Sequence, residues 1–353
     1  MNPSGCEALD DCRASVEALA DDAVEWVTGE IVSRYADRPS ISGTLGRLPT
    51  RRDVREQVSF LAAAAATPMN GYFKDYVRWL SAVQKSRGAP WQTLGESLAL
   101  LRAFFENRLE PAMLSPVASM LDAGLDALAE ESERTQPLYH AHLPESLPEV
   151  DALTQSLLRG DIATARSLAL RAFAERGDYV SIATRLFQPA LYKIGLLWQN
   201  NEITVAQEHL ATAIAQNVLA QLCPSAAFAP SSGRRALFAA VADNEHALGL
   251  RMVSDAFELA GWSVQYLGAN TPTEDLLAQI GTWRPEVVGL SASLVQHLSE
   301  LTRAVGSIRD RFDAENPRII VGGIPITQID GIWRWTGADV WGTDAGNAVA
   351  AVS

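Results

Sequence analysis

The sequence predicts three parts: an all-helical amino-terminal domain, a small helical bundle, and a carboxyl-terminal α/β domain with a doubly wound parallel sheet. Two observations predict the α/β domain. The run of residues 236–242 carries no charge, which is typical of a strand buried on both faces. Further short apolar runs alternate with stretches of helical periodicity, the pattern of a parallel sheet with right-handed crossovers. Before residue 224 the apolar residues recur at helical spacing, which predicts the two helical parts.

The composition disfavours several classes of protein. The chain has 353 residues, of which 48% are hydrophobic and 20% charged, as expected for two or three ordinary globular domains. A net charge of −13 argues against nucleic acid or an anionic membrane surface as the main partner. Three cysteines, Cys6, Cys12 and Cys223, give neither a disulfide framework nor a zinc-binding spacing. We find no signal-peptide pattern and no apolar run long enough to span a membrane, so we expect a cytoplasmic protein.

Prolines and charged runs divide the chain into its parts. Residues 1–135 are predicted to form the amino-terminal helical domain, followed by a linker that contains His140 and His142. Residues 150–225 are predicted to form an antiparallel four-helix bundle. Residues 234–353 are predicted to form the α/β domain.

The apolar spacing predicts individual elements. One amphipathic helix is expected across residues 16–27, and Thr204 is the expected N-cap of the last bundle helix. In the α/β domain the spacing predicts strands at 236–242, 263–267, 286–291, 318–322 and 338–342, with helices at 247–260, 273–282, 295–313 and from Ala345. Right-handed crossovers put the carboxyl ends of these strands along one edge, where the loops can meet one ligand.

An aromatic stripe lies in the amino-terminal domain. Tyr72, Tyr76, Trp79 and Val83 recur at helical spacing, with Arg78 among them. Ordinary helix packing explains such a stripe. A pocket for a flat, anionic chromophore is the alternative, with rings on its faces and arginines at its carboxylates. The residues alone leave both interpretations open.

A histidine lies on the first loop at the carboxyl edge of the sheet. Residues 243–249 close the buried strand and open a helix, which places His246 where open α/β sheets bind ligands. There it can be a metal ligand, a general base or an ordinary loop residue. On later loops, adjacent glycines at 322–323 let a large planar or phosphate-bearing ligand approach the backbone. Ser291 and Ser293 can form hydrogen bonds in the same crevice.

Five motifs in this order resemble the B12-binding (cobalamin-binding) domain, a Rossmann-like (flavodoxin-like) fold, over residues 234–353. They are Asn244-x-His246-x-x-Gly249, Leu267-Gly268-x-x-x-Pro272, Ser291-x-Ser293, Gly322-Gly323 and Gly337-Ala338-Asp339. The resemblance implies that His246 ligates cobalt from below and that the dimethylbenzimidazole tail of the cofactor lies in a channel lined by the serines and glycines. The other cofactor-binding residues that it implies are Glu245, Gly249, Gly268 and Thr343.

Asn244 departs from the family pattern, which usually has Asp or Glu two residues before the histidine. A carboxylate there holds the second N–H of the imidazole and raises its basicity. Asparagine can accept the same hydrogen bond but carries no charge. We therefore expect a weaker bond between cobalt and His246.

The helical bundle is similar to the cap of CarH-type B12 photoreceptors, which extends the resemblance to about residues 150–353. The residues that carry it are Leu197-Trp198 and Glu208-His209. The resemblance implies that Trp198 packs against the adenosyl group on the upper face of adenosylcobalamin, with Glu208 and His209 close by. Gln199 stands where those photoreceptors have a histidine that replaces the lost alkyl group, so a bis-histidine photoproduct through this position is not expected. The first 140 residues show no MerR-like helix-turn-helix, and we expect no DNA binding.

A helical domain before such a cap is similar to the photocobilins, B12 photoreceptors that also bind biliverdin. This resemblance rests on architecture. It implies a bilin pocket in the amino-terminal domain, with Cys6 and Cys12 as candidate attachment points. The candidate pocket residues are Tyr72, Tyr76, Arg78, Trp79, Arg102, His140 and His142.

These resemblances lead to the hypothesis of a light sensor rather than an enzyme. Loss of the adenosyl group under light would repack the cap and change the oligomeric state, expected to be a homodimer, or the binding of a protein signalling partner. Two alternatives are a corrinoid shuttle that carries methyl groups between methyltransferases, and a cobalamin sensor that does not respond to light.

Overall fold

The computed structural model describes residues 3–35, 49–65, 71–87, 92–129, 145–294, 296–312, 317–328 and 331–353. The chain divides into two compact units, residues 1–138 with 199–201 and residues 139–198 with 202–353. Each unit has its own apolar core. His140 and His142 of the predicted linker lie outside the described residues.

The described part of the amino-terminal unit is helical, as predicted. Its helices are α1 (Pro3–Ala18), α2 (Ala20–Tyr35), α3 (Arg51–Ala65), α4 (Gly71–Ser86), α5 (Gln92–Glu106) and α6 (Pro111–Ala129). Their apolar faces meet in one core that includes Val27, Leu61, Leu98 and Phe105. The helices therefore derive their stability from the burial of one face each.

The prediction of a single helix across residues 16–27 is wrong. α1 ends at Ala18, the chain turns at Leu19, and α2 begins at Ala20. Val16 on α1 and Val27 on α2 are both fully buried. Because the turn keeps the apolar side of each helix on the core, the spacing of apolar residues does not distinguish two helices from one.

The expectation that no apolar run could span a membrane is wrong for α6. By length and composition alone, Pro111–Ala129 is apolar enough to cross a membrane. In the structure α6 packs on α4 and α5, and Val117 and Leu121 on its inner side are fully buried. The apolar side chains of α6 therefore belong to the core of this unit.

The second unit begins with a cap of helices. They are α7 (Val150–Leu158), α8 (Ile162–Arg176), α9 (Tyr179–Ile182), a π-helical segment (Ala183–Phe187), α10 (Gln188–Gln199) and α11 (Val205–Leu222). Since α9, the π segment and α10 follow without a break, the four predicted bundle helices are present. The predicted N-cap Thr204 is confirmed, because its hydroxyl accepts the Gln207 N–H and the Gln207 side chain accepts the Thr204 N–H in return.

The cap is followed by a parallel five-stranded sheet in the order β2-β1-β3-β4-β5. This is the flavodoxin-like order, in which ligands bind at the carboxyl ends next to β1 and β3. The strands are β1 (Arg235–Val241), β2 (Ser263–Thr271), β3 (Val287–Ser291), β4 (Arg318–Gly322) and β5 (Val340–Trp341). The helices are α12 (Leu248–Leu259), α13 (Thr273–Trp283), α14 (His297–Phe312), α15 (Ile324–Gln328), α16 (Ile332–Trp335) and α17 (Ala345–Val352).

Two strands differ in length from the prediction. β2 continues to Thr271, four residues past the predicted end, with register shifts against β1. β5 is shorter and pairs with β4 only through Val340 and Trp341. Both are edge strands, where irregular pairing is common and the apolar pattern is weakest.

The cap rests on the α/β domain through apolar side chains. Met252 and Ala256 of α12 and Ala345 of α17 belong to the same apolar cluster as the cap residues Leu157 and Ile182. The cap and the α/β domain therefore share one core. A movement of the cap has to repack these contacts.

Replacement of Gly289 on β3 tests the packing at the centre of the sheet. A Cβ atom there would lie 2.3 Å from Cδ1 of Phe238, whose ring is buried against Phe257. We expect Gly289→Ala to lower the free energy of unfolding by about 1–3 kcal/mol through overpacking. Gly306 lies on the exposed side of α14, where a Cβ meets no atom within 4 Å, so Gly306→Ala should be neutral or stabilising by up to about 1 kcal/mol. Urea denaturation measures both; equal effects of the two variants would contradict this packing.

Candidate cobalamin site

The loop that carries His246 is held by a buried amide. Asn244 is fully buried at the end of β1. Its Oδ1 accepts a hydrogen bond from the main-chain N–H of His246 at 3.1 Å, and its Nδ2 donates to the main-chain oxygen of Ser291 at 2.9 Å. The side chain thus ties the first loop to the end of the central strand β3.

The role expected for Asn244 at the imidazole of His246 is not what the structure shows. Its oxygen is directed to the main chain of His246, and its nitrogen to a carbonyl group. An aspartate could not donate to the Ser291 carbonyl, because an ionised carboxylate only accepts. The donor requirement gives a physical reason for asparagine where the family usually has an acid.

Asn270 holds the same loop from the second strand, and the sequence analysis missed it. Its Oδ1 accepts the Asp243 N–H at 2.8 Å, its Nδ2 donates to Glu245 at 3.0 Å, and its own N–H donates to the Asn244 carbonyl at 3.0 Å. Asp243 and Asn270 both have left-handed backbone angles, φ 63° and 48°. Asn and Asp tolerate this conformation better than other residues, which was the available signal.

A second histidine, His297, lies at the start of α14 and was also missed. It is buried, and its Nδ1 accepts the Leu294 N–H at 3.2 Å. Its ring is also hydrogen-bonded to the main chain of Asp243. With Nδ1 as an acceptor, the neutral ring carries its proton on Nε2. His297 therefore fixes the start of the His246 loop.

Two carboxylates influence the imidazole of His246, one from the cap and one from the loop. His246 is exposed to solvent. Desolvation lowers the pKa of His246, while the charges of Glu208 and Glu245 oppose this shift. The cap helix α11 shares an apolar cluster with Met252 and Ala256 of α12, so it packs on the domain that carries His246. A neutral imidazole is the form that can ligate a metal.

The cap residues of the candidate site lie on α10 and α11. Glu208 Oε2 is 2.6 Å from Nδ1 of His209, and Oε1 accepts from the Thr212 hydroxyl at 2.9 Å. Trp198, half-buried, and Gln199 are the last two residues of α10. The expected grouping of Glu208 with His209 is therefore present, and Thr212 is an additional partner.

One feature at the strand ends fits the nucleotide tail of cobalamin. The Ser291 Oγ is buried, and among the described residues it has no hydrogen-bond partner. A buried hydroxyl without a partner is costly, which fits a ligand group at this position. Gly323 has a structural role instead: its φ is 107°, and a Cβ there would lie 2.0 Å from the Ala292 oxygen, so only glycine lets the two main chains pack this closely.

The remaining predicted residues occupy the same edge. Ser293 Oγ donates to the His246 carbonyl at 3.2 Å, and Thr343 Oγ1 donates to Asp344, the N-cap of α17. Gly249 lies in the first turn of α12, Gly268 has φ 89° within β2, and Gly322 ends β4. Glu245 is exposed on the loop. These residues lie on the loops and strand ends of the carboxyl edge.

The side chains present suit a metal that arrives within a larger group. In the described part of the chain, no three His, Cys, Asp or Glu residues are placed to hold a bare metal ion. His246 can then supply one ligand, while a corrin ring supplies the others. The residues present therefore fit cobalamin, which would be held by His246 at the cobalt and by Ser291 at the tail.

The candidate bilin residues of the amino-terminal unit mostly have structural partners. Tyr76 is buried, and its ring stacks on Phe60 with centroids 3.7 Å apart. Arg78 pairs with Asp75, and Arg102 pairs with Asp122 at 3.2 Å. Arg102 also lines a surface cavity of about 610 Å³ between α5 and α6. Trp79 is packed against the core of this unit, whereas the side chain of Tyr72, like His140 and His142, lies outside the described residues.

Of the two candidate attachment points for a bilin, Cys6 and Cys12, the structure describes the side chain of Cys12. Cys12 is a free, buried cysteine, and burial raises the pKa of its thiol. A buried neutral thiol is a poor nucleophile. The side chain of Cys6 lies outside the described residues.

Burial of His297 predicts a pH-dependent stability. Desolvation and the neighbouring His246 lower the pKa of His297 from 6.5 to about 4, with Asp243 opposing. Between these values the unfolded chain binds a proton that the folded chain does not, so stability falls as pH decreases from 6.5 towards 4. We expect a loss of up to about 3 kcal/mol from this group.

Urea denaturation between pH 7.5 and 5 measures this loss. His297→Gln should flatten the pH dependence, whereas His209→Gln, which removes an exposed imidazole from the cap, should leave it in place. If His297→Gln retains the full slope, the buried ring is not its source.

Removal of the Glu208 charge tests whether the cap faces His246. Because this carboxylate raises the pKa of His246, Glu208→Gln should lower that pKa further. Titration of the imidazole by NMR in the cofactor-free protein measures the shift. Glu175→Gln, an exposed carboxylate on α8, is the matched control and should leave the value unchanged. No difference between the two variants would contradict this placement of α11.

Comparison with known proteins agrees with this site. Residues 149–222 and 234–352 each match a family model described as a B12 binding domain. The HTH-type transcriptional repressors CarH and CarA of Myxococcus xanthus are 31% and 36% identical to this chain, over 136 and 137 residues. Each match covers 38% of this chain and 44% of the repressor. A corrinoid protein of Desulfitobacterium hafniense (strain Y51) is 23% identical over 207 residues, which cover 57% of this chain and 94% of that protein.

The chain thus spans less than half the length of the two repressors, and its similarity to these repressors and to the corrinoid protein is distant. The two family matches coincide with the cap and with the flavodoxin-like sheet described above. The chain therefore contains a cobalamin-binding module, a Rossmann-like B12-binding domain at residues 234–352 preceded by its helical cap at residues 149–222.

Proposed function

We propose that this protein is a light sensor that uses adenosylcobalamin as its chromophore. The cofactor, when bound, supplies a cobalt–carbon bond that light can break. The observation that carries the proposal is the shared core of the cap and the α/β domain, in which α11, the helix of Glu208, packs with α12, the helix that follows His246. In this proposal the cofactor lies between the cap and the sheet edge.

The residues of the sheet edge bind and orient the cofactor in this proposal. His246 provides the lower ligand, on a loop held by Asn244, Asn270 and His297. Ser291 offers an unpaired hydroxyl to the tail. Preorganisation of this kind reduces the entropy cost of binding.

The residues of the cap sense the upper ligand. Trp198 lies on α10 and Glu208 on α11, and the cap shares a core with α12 and α17. A change in the group beneath Trp198 shifts the balance between two packings of the cap on that core. The output is then a change in the association of two copies or in the binding of a protein partner in the cytoplasm.

A bilin is not included in the proposal. Tyr76, central to the predicted pocket, has its ring stacked in the core against Phe60. Arg78 and Arg102 have carboxylate partners within their own unit. Packing and ion pairing account for these residues.

A corrinoid carrier for methyl transfer is the second candidate. Its support is the match to the Desulfitobacterium corrinoid protein, which extends over 94% of that protein. A carrier has to present the upper face of the cofactor to partner enzymes. The resemblance of Trp198, Glu208 and His209 to the cap of the B12 photoreceptors favours the sensor.

Illumination of the loaded protein tests the proposal. Because adenosylcobalamin is light-sensitive in free solution as well, the measurement has to report on the protein. We expect amide hydrogen exchange in α10 and α11 to rise by about tenfold or more after illumination, as their packing is released. Hydroxocobalamin-loaded protein, which has no alkyl group to lose, should show no change under the same light.

Equal rates of hydrogen exchange in dark and illuminated samples would rule out the light sensor. Preferential binding of methylcobalamin over adenosylcobalamin, with no response to light, would favour the carrier. Binding of adenosylcobalamin without a response to light would indicate the third function, a cobalamin sensor that does not respond to light.

A further inference from the structure

A buried carboxylate lies where the cap meets the α/β domain. Asp255 on α12 is only 1% exposed, among the apolar residues Met252 and Ala256 that join the cap core. Burial of a charge in such a place is costly and does not by itself stabilise the contact. A role in fixing one arrangement of the surrounding elements is the best-attested reason for such a group.

Both oxygens of Asp255 have partners, one on each side of the contact. Oδ2 accepts from the hydroxyl of Tyr179 in the cap at 2.5 Å. Oδ1 accepts from Nε of Arg251, one turn earlier on α12, at 2.6 Å. Tyr179 is fully buried, and desolvation together with the Asp255 charge raises the pKa of its hydroxyl, which keeps it a donor.

The cap side of this network leads to the upper face of the cofactor site. Tyr179 is the first residue of α9, which continues through the π segment into α10 and ends next to Trp198. Helical residues rise about 1.5 Å each, so the base of this helical stretch controls the direction in which Trp198 is held about 30 Å away. Tyr179 fixes that base.

The domain side of the network leads to the lower face. The guanidinium of Arg251 lies over the ring of Tyr266, 5.4 Å from its centroid. The Tyr266 hydroxyl donates to the carbonyl of Ala247 at 3.0 Å, directly after His246. Each step is a direct side-chain contact, and together they reach from Asp255 to the loop of His246.

We propose that Asp255 is a positioning residue that sets Trp198 above and His246 below through the two chains of contacts. The role rests on the proposed cobalamin site, but it does not require a response to light. Asp255 touches neither the cofactor nor a reacting atom. It acts through Tyr179 on one side and through Arg251 and Tyr266 on the other.

Tyr179→Phe tests the proposal because it removes only the hydroxyl on the cap side. In the cofactor-free protein the main-chain N–H groups of His246 and Arg251 are hydrogen-bonded, to Asn244 and to Ala247. If the network couples the two sides, Tyr179→Phe should speed hydrogen exchange at these amides by about tenfold or more, as expected for the loss of a hydrogen bond to a charged group. Asp255→Asn should do the same. With Asp255→Asn already present, Tyr179→Phe should add little, because its partner charge is gone.

Tyr192→Phe on α10 is the matched control, since it removes a cap hydroxyl that bonds to Gln188 rather than to Asp255. It should leave the His246 and Arg251 amides at the wild-type rate. In the dark, adenosylcobalamin should dissociate several-fold faster from Tyr179→Phe than from Tyr192→Phe.

Faster exchange confined to the cap, with the loop amides and the dissociation rate unchanged, would show that Asp255 only docks the cap and would overturn the proposal. No step uses illumination, so a protein that fails to sense light can still pass or fail this test. The exchange measurement also stands without bound cobalamin.

Discussion

The hydrogen bonds of one buried amide determine how this site is built. Asn244 joins the His246 N–H to the Ser291 carbonyl, and so fixes the first loop of the sheet edge to the central strand. Because the side chain is fully buried, both of its polar ends need partners, and loss of either leaves a costly unpaired group. The placement of His246 depends on this bond more than on any contact of the imidazole itself.

Other hydrogen bonds around the loop also hold its main chain in place. Asn270 and His297 hold Asp243, and Ser293 bonds to the His246 carbonyl. With the main chain fixed, His246 remains accessible to solvent. In the proposed sensor, this preformed loop keeps the cofactor, and repacking of the cap is the response to what the cofactor carries.

Sequence patterns predicted the α/β fold well because its strands are buried on both faces. The uncharged run of β1 and the helical spacing of α12 leave little room for another arrangement. The turn at Leu19 was not predicted, since a short interruption does not change the side on which apolar residues lie. The edge strands β2 and β5 were predicted with the wrong lengths because their pairing is irregular.

The candidate site was predicted only where a residue belongs to a recognisable motif. His246 and Ser291 were found in this way. Asn270, His297 and Asp255 act through hydrogen bonds across elements far apart in sequence, and no local pattern reveals such partners. The hydrogen bonds of Asn244 were not predicted for the same reason. Its partner Ser291 is 47 residues away in the sequence.

The central claim is that His246 binds the cobalt of cobalamin from below. Electron paramagnetic resonance of the bound cobalt(II) form, with and without ¹⁵N-labelled histidine, measures it most directly, because the nitrogen hyperfine pattern identifies the lower ligand. We expect the pattern to change on labelling in the wild-type protein and the labelled-histidine signal to disappear in His246→Ala. A pattern that is unchanged by the label would show that the cofactor's own base, or no nitrogen at all, occupies the lower position, and would contradict the account.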